Sequence, residues 1–141
     1  MTPKLDEKLC EKYPKIFIDR NKPMDQTAMC WGMQCGDGWY WLIDKLCGFF
    51  MKIQEQTGAE VVATQVKEKF GGLRIHYEFL GVINDNCKEM IAKHIRDAEI
   101  EASKTCEQCG NPGKLVRKDW IETLCWKCRI KDFFGHINIF K

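Results

Sequence analysis

The sequence predicts an α+β fold: a β-hairpin-containing sheet packed by two amphipathic helices, with a small cysteine-held module at the C-terminus. Three observations carry this. Apolar residues recur at three- and four-residue steps over two long stretches. Between them, two alternating segments flank Gly71-Gly72. Near the end, two Cys-x-x-Cys pairs stand fifteen residues apart. The chain of 141 residues has 45% hydrophobics and a net charge of only +2, so it can bury a core and is not of disordered composition. It divides into a body over residues 1–103 and a module over 104–141.

Taken in order, Leu5 to Tyr13 predicts a short helix, stopped by Pro14, which cannot continue the hydrogen-bond ladder. Lys15 to Gln34 reads as irregular. Asp37, within Cys35-Gly36-Asp37-Gly38-Trp39, is the expected N-cap of a helix over about 38–57. Its inner face is Trp39, Leu42, Ile43, Leu46, Phe49, Phe50 and Ile53, and Gly58 ends it. A hairpin is expected over 61–80, with Gly71-Gly72 at its turn because both central positions need positive φ. That turn sets Phe70 against Leu73, Glu68 against Ile75, Val66 against Tyr77 and Thr64 against Phe79 on an apolar face. The other face then pairs Lys69 with Arg74 and Lys67 with His76. A second helix is expected over about 84–104, with Cys87, Ile91, Ile95, Ala98 and Ala102 inward.

Cys106-x-x-Cys109-Gly110 and Cys125-x-x-Cys128 are the strongest chemical signal. Zinc takes a tetrahedron of soft thiolates, and two such turns each present two sulfurs to one ion. Residues 114–124 fold back as a hairpin to bring the pairs together, and Trp126, Ile130, Phe133 and Phe134 mark a following helix that Gly135 ends. Knuckle, hairpin and helix make a treble-clef or zinc-ribbon-like module. With Cys106, Cys109, Cys125 and Cys128 all ligating, one structural Zn2+ has no position left for water. The other cysteines (Cys10, Cys30, Cys35, Cys47 and Cys87) read as small buried hydrophobes, not as a second metal site.

The charge is uneven, +4 over residues 104–141 and −2 over the rest. Candidate contact residues are Lys67, Lys69, Arg74 and His76 on the body hairpin, with Lys114, Arg117 and Lys118 on the module. Two other readings compete. The basic module could bind nucleic acid, with affinity falling steeply as salt rises. Alternatively, the Trp31–Trp41 region with Glu68 and Arg74 could bind or sequester a small nucleotide, or act as an enzyme. No phosphate-binding glycine loop, His-Glu-x-x-His or nucleophile elbow is present, so nothing in the motifs proposes catalysis. No apolar run reaches the roughly 18–20 residues of a membrane span, the early charges argue against an export signal, and unpaired clustered cysteines suit a reducing compartment. The expectation is therefore a cytoplasmic protein without a membrane partner.

Trp31-Gly-x-x-Cys35-Gly-Asp-Gly-Trp39-Tyr, Val66-Lys-Glu-Lys-Phe-Gly-Gly-Leu-Arg74 and the paired cysteines together resemble a family of small proteins encoded by bacteriophages and prophages. The likeness runs from about Tyr13 to Cys128. It implies a setting in the host bacterial cytoplasm and an accessory role in phage–host interaction. The expected function is non-enzymatic: binding a host macromolecule, most concretely a host protein, and altering its activity.

Overall fold

The computed structural model describes residues 1–117 and 119–139. It is α+β. Helix α1 (Pro3–Lys12) leads into a stretch with short 3-10 turns, then strand β1 (Met33–Gln34), α2 (Tyr40–Thr57), β2 (Glu60–Lys69), β3 (Gly72–Leu80) and α3 (Asp85–Ala102). The last third holds β4 (Lys114–Arg117), β5 (Ile121–Leu124) and α4 (Trp126–Ile139). Strands β1, β2 and β3 form one sheet in that order, β1 parallel and β3 antiparallel to β2; β4 and β5 form a separate ribbon. Helices α2 and α3 pack against each other and against the sheet, and the main core is built from Ile43, Leu46, Phe50, Val66, Leu73, Ile91 and their neighbours.

The helices follow their apolar spacing. In α2, Tyr40, Ile43, Leu46, Cys47, Phe50 and Ile53 are buried, and Gly58 closes it in the left-handed region at φ +75°. In α3, the Asn84 side chain caps the Cys87 amide at 2.8 Å, and Cys87, Ile91, Ile95 and Ala102 are buried. One expectation fails at the start of α2. Asp37 does not cap it; a 3-10 turn over Asp37–Trp39 precedes the helix, and the Asp37 carboxylate accepts from the Thr2 amide at 2.7 Å. Long-range pairing with the N-terminal segment has displaced the local cap. Strand β1, within the stretch read as irregular, is two residues long and carries no periodicity to detect.

The hairpin turn also differs. Phe70 and Gly71, at φ +53° and +80°, are its central residues, so Lys69 faces Gly72, Glu68 faces Leu73, Lys67 faces Arg74 and Val66 faces Ile75. Between the turn and Gln65 the expected and observed registers keep each side chain on the same face, so the apolar alternation there is blind to the choice between them. The module packs on Gly71 in this turn. A register break between Ala63 and Gln65 then leaves Thr64 unpaired and sets Ala63 opposite Tyr77 and Val61 opposite Phe79. The bulge turns Val61 and Ala63 into the core where strict alternation would have placed Thr64.

Candidate metal centre and its seat on the body

Four cysteines converge where α3 meets the module. Beyond α3, the Cys106 amide donates to the Asn111 carbonyl at 2.7 Å and the Gly110 amide donates to the Cys106 carbonyl at 2.9 Å. Gly110 closes this knuckle at φ +81°, a conformation that side-chain-bearing residues resist. The β4–β5 ribbon, with Lys114 opposite Leu124, returns the chain so that Cys125 arrives beside the knuckle. Cys128 lies one turn on, in α4, and its amide donates to the Cys125 sulfur at 3.4 Å.

The four Sγ atoms lie within 4.8 Å of one another, and Cys109 Sγ stands 3.6 Å from Cys125 Sγ. A zinc–sulfur tetrahedron has edges of about 3.8 Å, so closure on an ion asks for sulfur shifts of about 1 Å or less. Cys106 and Cys125 are buried, Cys128 is half-buried and Cys109 is exposed. The Cys128 amide, with the neighbouring thiols, brings the Cys125 thiol down to about 7. Burial, with the same crowding of thiols, pushes Cys128 upward. One readily ionised sulfur among three close neighbours suits a divalent cation, whose charge would favour ionisation of the rest. This group can hold a metal ion with all four ligands supplied by the chain. The helix following it runs through Gly135 to Ile139, so the expected stop at Gly135 is not used.

The centre is seated on the body through glycines. The Gly38 amide donates to the Glu107 carbonyl at 2.6 Å, the Gly36 amide to the Glu107 carboxylate at 2.9 Å, and Trp39 Nε1 to the Thr105 carbonyl at 2.9 Å. A Cβ at Gly38 would collide with the Cys106 carbonyl, and one at Gly36 with the Glu107 carbonyl. On the ribbon side, the buried Thr123 hydroxyl donates to the Gly71 carbonyl at 2.7 Å, while the Thr123 carbonyl accepts from the Glu107 amide at 2.9 Å. A Cβ at Gly71 would stand 2.5 Å from a Leu115 methyl. Burial raises the Glu107 carboxyl above its ordinary range, with Glu68 and Glu122 adding to the rise. Glu107, Thr105 and Thr123 escaped the sequence reading. Their one signal was the pair of glycines at 36 and 38 with no turn between them to require both.

The remaining candidates separate. Lys67 and Arg74 are direct cross-strand partners on the face away from the core, with His76 opposite Gln65. This replaces the expected pairings of Lys67 with His76 and Lys69 with Arg74. Lys69, Arg74 and His76 are exposed and Lys67 half-buried. Lys114 and Arg117 are exposed but fall on opposite faces of β4 by strand alternation. Lys118 lies outside the described residues. Trp31 and Trp41 are exposed, whereas Trp39 and Tyr40 are buried in the core. Glu68 lies on the core face and its carboxylate accepts from the Gly71 amide at 2.7 Å, opposite to the side that Arg74 occupies. These residues do not converge on one cavity, which removes the geometric basis of the small-nucleotide reading.

Among the described residues, no helix is long and apolar enough to cross a membrane. Compared with known proteins, the chain matches no family model, no curated protein and no solved structure.

Proposed function

We propose that the four thiolates hold a single structural zinc, and that the chain is a non-enzymatic accessory protein of a phage or mobile element. It binds a host protein through the cationic face of the β2–β3 hairpin and alters that protein's activity; inhibition of a host defence or regulatory system is one concrete form. A filled tetrahedron of sulfur supports a folding role for the ion, because it leaves no position for substrate or water.

The observation that carries the binding reading is Lys67 opposite Arg74. Like charges directly across a strand pair destabilise it. Among the described residues no carboxylate lies within ion-pairing distance of either side chain. An acidic surface on a partner would complete what the fold leaves uncompensated. The metal serves this face indirectly: the ribbon it closes packs Leu115 and Thr123 on Gly71, in the turn that follows Lys67 and Lys69.

Affinity capture from nuclease-treated host lysate, with wild-type and Lys67→Glu/Arg74→Glu baits, tests this. The expected result is a host protein retained by the wild type and lost by the variant. Identical recovery with both baits, or no host protein retained once nucleic acid has been digested, contradicts it.

A further inference from the structure

We propose that α4 is an interfacial helix that lays the module on an anionic lipid surface. Trp126, Ile130, Phe133 and Phe134 recur at steps of four, three and one, which places them within an arc of about 100° on an α-helix. Such an arc ordinarily faces a core. Here it faces solvent, with these side chains 68%, 45%, 55% and 57% exposed. The opposite side of the helix carries Cys128, in the metal cluster, and Asp132, whose carboxylate accepts from Gln108 Nε2 at 3.1 and 3.3 Å. Those two anchors fix the roll of the helix and hold its aromatic stripe outward.

The charges along the stripe choose the occupant. Lys127 and Lys131 border it on one edge and Arg129 on the other, all exposed. The helix's acid, Asp132, is turned inward; Asp119 and Glu122 share with it and Arg129 the cleft on the ribbon side. A second copy fits poorly in the antiparallel arrangement, because pairing two stripes that way about a twofold axis brings the Lys127 and Lys131 edges of both copies together. Stacked nucleobases fit poorly too. The Phe133 and Phe134 rings meet edge to face at 5.9 Å and 75°, so they are not a row of parallel platforms. An anionic bilayer meets both requirements, taking aromatic side chains at the acyl boundary and cations at headgroup level on either edge. Lys127 Nζ already lies over the Trp126 ring, 5.7 Å from its centroid. The expectation of no membrane partner rested on the lack of a spanning segment, and a helix lying in the interface needs none.

Vesicle flotation of the full-length, metal-containing protein tests this, using phosphatidylcholine vesicles with and without about one-third phosphatidylglycerol. The expected result is flotation with the anionic vesicles only, weakened by salt. Trp126→Ser/Phe134→Ser should lower the partition by about tenfold or more while leaving the melting temperature unchanged, since both rings are exposed. Lys127→Glu/Lys131→Glu should remove the preference for anionic lipid. Three results overturn the proposal: no flotation with anionic vesicles at low salt, undiminished flotation of the double-serine variant, or displacement from vesicles by an oligothymidine, which marks general polyanion attraction without insertion. The Lys67→Glu/Arg74→Glu variant should float like the wild type, so failure of the host-protein reading leaves this result intact.

Discussion

The Gly38 amide donates to the Glu107 carbonyl at 2.6 Å, joining the segment before α2 to the residue after the first metal-site cysteine. The two chains approach so closely that only hydrogen fits at Gly38 Cα. Gly38→Ala should therefore cost about 1–3 kcal/mol, the usual range for overpacking. Gly48→Ala is the contrast. Its Cβ would meet the Tyr13 hydroxyl at an ordinary 3.7 Å, and alanine in a helix interior stabilises by roughly 0.5–1 kcal/mol over glycine. Denaturant titrations should move in opposite directions; two losses, or two gains, contradict the seat.

Thr123→Val keeps the side-chain shape but removes the hydroxyl that donates to the Gly71 carbonyl. A buried acceptor left without its donor costs about 1–3 kcal/mol. The loss should appear in the unfolding midpoint, and faster amide exchange at the β2–β3 turn should accompany it. An unchanged midpoint means the ribbon is not held on the hairpin as described.

Lys67→Thr should separate stability from binding. Relief of the repulsion with Arg74 should stabilise the hairpin by about 0.2–1 kcal/mol, while binding to the captured host protein weakens. Stability and binding rising together would show that Lys67 is only a solvated side chain.

Thiol chemistry distinguishes the two classes of cysteine. Burial raises the Cys35 thiol to about 12 and pushes Cys47 higher still, so both stay protonated and shielded at pH 8. In the folded protein neither should react with iodoacetamide, with or without metal. Cys109, which is exposed, and Cys125, near 7, should be alkylated once metal is removed and be protected when it is bound. Early labelling of Cys35 or Cys47 would show that they are not core residues.

Asp44 gives a pH-dependent effect. Burial alone would raise its carboxyl, but hydrogen bonds from Lys12 and Tyr13 outweigh it and hold the group below the ordinary carboxylate range. A lowered carboxyl stabilises the fold above its unfolded pKa, and that contribution fades as pH falls through the folded value. Asp44→Asn should thus lower the unfolding free energy slightly at pH 7, by about 1 kcal/mol or less, and leave it unchanged near pH 2. A loss that is the same at both pH values would assign the effect to packing.

What the sequence disclosed follows from which signals are local. The α2 and α3 faces were legible because Ile43, Leu46 and Phe50, or Cys87, Ile91 and Ile95, repeat at helical spacing. The four-cysteine cluster was legible because thiolate coordination demands paired cysteines at short spacing. The hairpin turn was not, since either register puts Val66 and Ile75 on the core face; contact with Leu115 and Thr123, some 50 residues away, accompanies the one adopted. Asp37 was misread for a related reason, because its partner is the distant Thr2 amide. Gly36 and Gly38 were visible, but what they admit is the Glu107 backbone, which no local pattern announces.

Native mass spectrometry of protein purified without chelators, followed by X-ray absorption at the zinc edge, tests the central claim most directly. One zinc per chain in an all-sulfur, four-coordinate shell is the predicted result. A chain that carries no metal, or an ion with an oxygen ligand in its shell, would contradict it.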